Sequence, residues 1–141
     1  MPRIVVKFGG TSVATPERIR AVAQRVHAFR KQGSQVVVVV SAMGKTTDGL
    51  LSLADEVGAM DRREMDQLLA TGEQQTIALV SLALGNLGMQ ARSFTGPQAG
   101  FKADGYYMEG RVREVNAALV QQALDEGYIP VVAGFQAEGP Q

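Results

Sequence analysis

Two hydrophobic patterns recur along this chain: short apolar runs typical of strands, and apolar stripes at helical spacing. The apolar runs predict strands at Arg3–Phe8, Val36–Val40, Gln90–Phe94 and Ile129–Phe135. The first is expected to be buried and stops at Gly9-Gly10. The second consists only of valines, which is typical of a strand covered on both faces.

Apolar residues at a spacing of three and four predict helices between these strands. Thr15 and Pro16 have the residue types of an N-cap and a first helical residue, and Gly33 ends this first helix. A loop is expected over Ser41–Thr47, followed by a helix over Gly49–Val57.

The longest helical stretch is predicted as two separate helices. Asp61 and Glu64 have the spacing of a capping box for a helix that runs to about Leu69. Thr71-Gly72 is expected to interrupt it. From Glu73 to Leu87 the pattern is helical again and apolar nearly all round, which predicts burial on several sides.

Near the C-terminus the pattern predicts a small hairpin and a last helix. Asp104-Gly105 is a turn signal, and Arg111–Val115 has the pattern of a short strand. Asn116 is expected to cap a helix that Gly127 closes. The order of elements predicts an α/β fold with a mainly parallel sheet and helices on both faces.

Composition narrows the function classes. Fourteen basic residues balance fourteen acidic ones, which argues against a binder of nucleic acid or of anionic membrane surfaces. The chain has no cysteine and one histidine, so thiolate catalysis and Cys-based or multi-His metal sites are excluded. No targeting signal or apolar run of about 20 residues is present. A cytoplasmic protein without a membrane segment or a protein-held metal is expected.

Ligands of parallel sheets bind beyond the carboxyl ends of the strands. The loop after the first strand reads Lys7-Phe8-Gly9-Gly10-Thr11-Ser12. A lysine at the end of a buried strand, two glycines that can adopt positive φ, and hydroxyl groups together suit a phosphate. The alternative is a tight strand–helix turn in which Lys7 extends to water.

Two further clusters follow the second strand and open the apolar helix. Ser41, Thr46, Thr47 and Asp48 could hold a phosphate or a carboxylate, or Thr47 or Asp48 could simply cap the next helix. Glu73 could pair with a substrate ammonium, or it could be a carboxylate placed favourably at a helix start.

Taken together, the chain resembles the aspartate kinases of the amino acid kinase superfamily. The resemblance covers the chain from end to end and rests on five segments in the family's order: Val5–Val13, Val38–Gly44 with Thr46–Asp48, Leu69–Gln74, Ser93–Gly96 and Val132–Gln136. It implies ATP-dependent phosphorylation of the side-chain carboxylate of L-aspartate, the step that leads towards lysine, threonine and methionine. ATP would act with Mg²⁺ held mainly by its phosphates.

The resemblance also implies residue roles. Lys7 would neutralise charge on the transferring phosphoryl group. The phosphates would lie against Phe8, Gly9, Gly10 and Ser41. Aspartate would be held by Thr47 and Glu73, with Thr46 and Asp48 as neighbours.

Family members continue, after the strand that ends in Gly134-Phe135-Gln136, into a loop that contains Gly-Arg-Gly-Gly-Ser-Asp. This chain ends at Gln141. We therefore expect residues 1–141 to form the N-terminal, substrate-side part of the kinase domain, without the nucleotide-binding half or ACT regulatory domains. By itself it is expected not to turn over ATP and to self-associate through an open sheet edge at Ile129–Phe135 or a neighbour. The alternatives are a kinase of acetylglutamate, glutamate or carbamate, and a non-catalytic module that binds an anion or another chain.

Overall fold

The computed structural model describes residues 2–58, 61–99, 101–104, 111–115 and 117–134. Its main sheet consists of four parallel strands in the order β1-β2-β6-β3. The strands are β1 (Arg3–Phe8), β2 (Gln35–Val40), β3 (Ala91–Phe94) and β6 (Ile129–Ala133). The predicted fold class is therefore confirmed, and all four strands have their carboxyl ends at the same edge.

The first strand lies at the edge of the sheet, and the expectation that it is buried is wrong. Its residues alternate, with Arg3, Val5 and Lys7 exposed and Phe8 buried. The valine strand β2 is central, as its unbroken apolar pattern predicted.

The C-terminal strand β6 is also central, since it pairs with β2 on one side and β3 on the other. Of the two places expected for an open sheet edge, β6 therefore has partners on both sides, and its neighbour β3 lies at the edge. Pairing with β2 begins at Val131, one residue after Pro130. The proline thus lies before the β2 ladder, where its missing N–H costs no hydrogen bond to that strand. Phe135 lies outside the described residues.

Helices cover both faces of the sheet. On one face lie α1 (Pro16–Lys31) and α3 (Arg62–Asn86), whose side chains share a core with the strands through Val26, Val38, Val80 and Val131. On the other face lies α4 (Ala118–Asp125), which packs on Val132 and Phe94 through Ala123 and Leu124. The helix α2 (Thr46–Val57) packs on α3 and buries none of its side chains fully.

The predicted starts of α1 and α3 are confirmed by their caps. Thr15 Oγ1 accepts a hydrogen bond from Arg18 N at 3.2 Å, and Asp61 Oδ1 accepts one from Arg63 N at 2.9 Å. Each cap satisfies an amide group that has no acceptor within its helix.

The predicted interruption at Thr71-Gly72 is wrong, because α3 is continuous over 25 residues. Thr71 Oγ1 donates to Leu68 O at 2.6 Å, so its hydroxyl is satisfied inside the helix. Packing at Gly72 overrides the weak helix propensity of glycine. The second half of α3 is also less buried than expected, since Leu79 and Leu82 are exposed.

The remaining boundaries are close to prediction. The helix α2 begins at Thr46, three residues before the predicted Gly49. The predicted hairpin is present as the antiparallel pair β4 (Phe101–Asp104) and β5 (Arg111–Val115). Gly105 and Asn116 lie outside the described residues, and Ala117 occupies the N-cap position of α4. No helix among the described residues is long and apolar enough to cross a membrane.

Candidate functional site

At the carboxyl edge of the sheet, the loops after β1 and β2 are in backbone contact. Gly44 N donates to Gly10 O at 2.9 Å, and Ser41 N donates to Phe8 O at 3.3 Å. A Cβ placed on Gly10 would lie 3.0 Å from the carbonyl oxygen of Ala42. Only a glycine therefore fits here without displacement of backbone, and the two loops form one surface.

The same Ala42 also connects the loop after β2 to α3. A Cβ placed on Gly72 would lie 3.1 Å from Ala42 Cβ and 3.4 Å from Thr46 Cγ2. Gly72 thus allows the middle of α3 to approach the first turn of α2. Gly10 lies against the carbonyl oxygen of the buried Ala42, and Gly72 lies against its Cβ, so the three clusters predicted from the sequence meet around this residue.

In the first cluster, Lys7 is exposed on the edge strand rather than buried. Gly9 has φ −79° and ψ 176°, which any residue can adopt, and neither Gly9 nor Gly10 has positive φ. The positive φ that glycine permits is therefore not used at either position. Gly9 instead opens onto free space, because no atom lies within 4 Å of a Cβ placed on it. Phe8 is buried in the core, so only its backbone can face a ligand.

In the second cluster, Ser41 directly follows β2 and is half-buried, as are Thr46 and Thr47, while Asp48 is exposed. The prediction that Thr47 or Asp48 caps the next helix is wrong. The N-cap position belongs to Lys45, whose side chain makes no capping hydrogen bond. Thr46, Thr47 and Asp48 instead form the first turn of α2, where Asp48 is favourable to the helix dipole.

Glu73 lies in the middle of α3, so its interpretation as a carboxylate at a helix start is wrong. The helix dipole does not explain its position. Glu73 follows Gly72 directly, and its backbone is therefore one residue away from the contact with Thr46. Glu73 is half-buried there.

Sequence reasoning missed the small residues that bring these loops together. Ala42 is 5% exposed, and Gly44 adopts a positive φ of 46°. At the next strand, Gly134 N donates to Val40 O at 2.7 Å, which draws the end of β6 against β2. The available signal was the valine run Val36–Val40 followed by the small residues Ala42 and Gly44. This pattern does not indicate which distant residues the small residues will contact.

The other two loops at this edge are described in part. After β3, Thr95 and Gln98 form a closed turn, in which Thr95 N donates to Gln98 Oε1 at 2.9 Å and Gln98 N to Thr95 Oγ1 at 3.3 Å. Gly100 and residues 135–141 lie outside the described residues. Within the described ranges, no group of three or more acidic or histidine side chains could hold a metal ion.

Comparisons with known proteins agree on one family. The model of the amino acid kinase family matches residues 2–141. The aspartokinase of Mycolicibacterium smegmatis is 53% identical over 137 residues, which are 96% of this chain and 32% of that relative. The chain spans about a third of the length of the curated relatives it matches.

Solved structures agree with this. Aspartate kinase from Synechocystis is 47% identical with a TM-score of 0.79, and the match covers 100% of this chain and 22% of that one. E. coli aspartokinase III, solved with aspartate and ADP, has a TM-score of 0.82 at 18% identity, over 99% of this chain and 42% of that one. At that identity, the second match shows the shared fold.

Proposed function

The chain belongs to the amino acid kinase family, and on that basis we propose that it contributes to the ATP-dependent phosphorylation of the side-chain carboxylate of L-aspartate. The product would be aspartyl phosphate. One observation carries the proposal. Gly10 and Gly72 both lie against Ala42, so the loop that carries Lys7 and the two glycines meets the helices that carry Thr46 and Glu73. The identity to aspartokinases supports the choice of aspartate.

The two halves of this surface suit two different ligands. The phosphates of ATP would lie along Lys7, the backbone of Phe8, Gly9 and Gly10, and Ser41. Gly9 leaves open space where a side chain would stand, so a phosphate can come close to the backbone. Lys7 would stabilise the charge on the transferring phosphoryl group.

Aspartate would lie on the other half, next to the contact between α2 and α3. Glu73 would pair with its α-ammonium group, and Thr47 would hold it, with Thr46 and Asp48 beside it. A carboxylate for the ammonium and hydroxyl donors for the carboxylate match the charges of an α-amino acid. The reacting carboxylate is already a nucleophile, so the reaction needs no general base.

The described residues offer no cluster of ligands for a metal ion, and we assign Mg²⁺ to the phosphates of ATP. Mg²⁺ bound there would neutralise charge on the phosphoryl oxygens. The contribution of this chain's own residues is to align the two substrates and to stabilise charge.

Substrate specificity tests the proposal. The protein that carries these residues is incubated with ATP, Mg²⁺ and one acid at a time, and acyl phosphate is trapped as its hydroxamate. We expect product with L-aspartate. Phosphorylation of acetylglutamate, glutamate or carbamate without action on aspartate would instead assign the site to another acid, and no phosphorylation of any acid would favour a non-catalytic module.

Replacement of Lys7 tests the phosphate half of the site. Loss of one preorganised group that stabilises charge costs about 10²-fold in kcat, so we expect at least that loss for Lys7→Ala. Lys31→Ala is the matched control, because Lys31 is an exposed lysine at the far end of α1. Near-equal kcat of the two variants would remove Lys7 from its proposed role.

The wider setting is also a proposal. We infer that residues 1–141 form the substrate-side part of the catalytic unit, that the protein is cytoplasmic, and that its product leads towards lysine, threonine and methionine. The span of about a third of the relatives supports the first point. Turnover by the 141-residue chain alone, in an assay coupled to ADP, would contradict it.

A further inference from the structure

The loop between β1 and α1 has three consecutive carbonyl groups that accept hydrogen bonds from the protein itself. The pairs are Ser12 N to Gly9 O at 3.0 Å, Gly44 N to Gly10 O at 2.9 Å, and Arg18 Nη1 to Thr11 O at 2.9 Å. Each bond fixes the direction of one peptide group. The loop therefore keeps a defined shape although its outer residues are exposed.

Arg18 supplies the one side-chain donor among these three pairs. It is the third residue of α1, and its own backbone N donates to Thr15 Oγ1 at 3.2 Å. The same residue is thus fixed to the N-cap through its backbone and to the loop through its guanidinium group. Ala14 N also lies 3.4 Å from Thr11 O, a longer contact.

The bond from Arg18 matters for an anion that approaches this loop. A carbonyl oxygen carries a partial negative charge and repels phosphate oxygens, whereas a carbonyl held by a donor cannot rotate towards the ligand. The guanidinium is cationic, so its hydrogen bond is stronger than one from a neutral donor. Its charge also makes the potential at the loop more positive.

We propose that Arg18 is a positioning residue for the nucleotide, acting through the carbonyl of Thr11 on the loop that contains Gly9 and Gly10. This inference rests on the proposed function, in which that loop holds the phosphates of ATP. Arg18 shapes the phosphate half of the site and leaves the half at Thr46, Thr47 and Glu73 unchanged.

The kinetic test compares Arg18→Gln with Arg20→Gln, an exposed arginine two residues further along the same helix. Loss of a charge-assisted bond that orients a binding loop is expected to raise the KM for ATP about tenfold in Arg18→Gln. The KM for aspartate should stay within about twofold, because only one half of the site changes. Arg18→Lys keeps the charge and a donor and should restore part of the affinity for ATP.

A second measurement is independent of activity. Amide hydrogen exchange at Ser12, whose N–H bonds to Gly9 O within the loop, should become about tenfold faster in Arg18→Gln and stay unchanged in Arg20→Gln. If the wild-type protein fails to phosphorylate aspartate, the proposed function fails and the exchange measurement alone decides the role of Arg18. Equal exchange in the two variants, or an equal rise in KM for both substrates, would overturn the inference.

Discussion

Gly9 and Gly10 are neighbours in the chain, but they have different surroundings. A Cβ on Gly10 would meet the backbone oxygen of Ala42 at 3.0 Å, and a Cβ on Gly9 would meet nothing within 4 Å. Gly9 therefore leaves room for a ligand, whereas Gly10 leaves room for the backbone of Ala42. Substitution of each by alanine separates binding from stability.

We expect Gly10→Ala to lower the free energy of unfolding by about 1–3 kcal/mol, because the clash is with backbone that has to shift. Gly9→Ala should change it by less than about 0.5 kcal/mol, as is usual for exposed sites without special features. The same Gly9→Ala should raise the KM for ATP. Urea unfolding and initial rates measure the two quantities, and an unchanged KM in Gly9→Ala would argue against phosphate contact at this position.

At the scale of the elements, the caps and the glycine contact of α3 have different origins. Local sequence sets the caps, since Thr15 and Asp61 act on amide groups two or three residues away. The contact that α3 makes at Gly72 is with Ala42 and Thr46, which are far away in the chain.

Thr15→Ala removes the side-chain acceptor of the Arg18 amide and should destabilise the protein by about 1 kcal/mol. Thr15→Ser keeps a hydroxyl at the same position and should retain most of the stability. Chemical denaturation of the three proteins provides the measurement. Equal stability of the alanine and serine variants would show that the cap contributes nothing.

Two glycines of α3 form a matched pair for the helix contact. Gly72→Ala gains about 1 kcal/mol of helix propensity but is overpacked against Ala42 Cβ at a cost of about 1–3 kcal/mol, so a net loss of about 1 kcal/mol is expected. Gly85→Ala has no atom within 4 Å of the new methyl group and should gain about 0.5 kcal/mol.

The kinetic effect of this pair is equally specific. A shift of α3 away from Thr46 should raise the KM for aspartate in Gly72→Ala, while Gly85→Ala should leave it unchanged. Stabilisation by Gly72→Ala with an unaltered KM would mean that the contact at Ala42 does not position the site.

The sequence predicted what depends on local pattern: five of the six strands, all but β4, together with the caps at Thr15 and Asp61 and the edge of the sheet where the loops meet. It failed where distant residues decide. Gly72 has weak helix propensity, and nothing local indicates that Ala42 lies against it. Lys7 was expected on a buried strand, but the position of β1 at the edge of the sheet comes from the strand order. The meeting of the three clusters has the same non-local origin.

At the scale of the whole molecule, the outer surface of α2 and α3 retains exposed apolar side chains. Val57 on α2 is 82% exposed, and Leu82 on α3 is 70% exposed. Other exposed apolar side chains lie on the same two helices, which pack against each other. The homo-oligomer expected from the sequence stays a prediction, and this surface supports it. The edge that favours contact is β1 or β3 rather than β6, which has partners on both sides.

Sedimentation at increasing concentration tests this expectation. The average mass of the 141-residue chain should rise with concentration, and Leu82→Lys should reduce the rise. Leu119→Lys is a control of the same type on α4, on the opposite face of the sheet. A constant monomer mass for the unchanged chain would contradict the expectation.

The place of β6 between β2 and β3 has a consequence for biosynthesis. A ribosome delivers β1, β2 and β3 long before it delivers Ile129–Ala133, yet β2 and β3 are joined in the sheet only through that last strand. Until it emerges, the nascent polypeptide carries two valine-rich or aromatic strands with unoccupied flanks, which are exposed to chaperones and to neighbouring nascent chains. Cooperative closure of this sheet therefore waits for the synthesis of the five residues of β6.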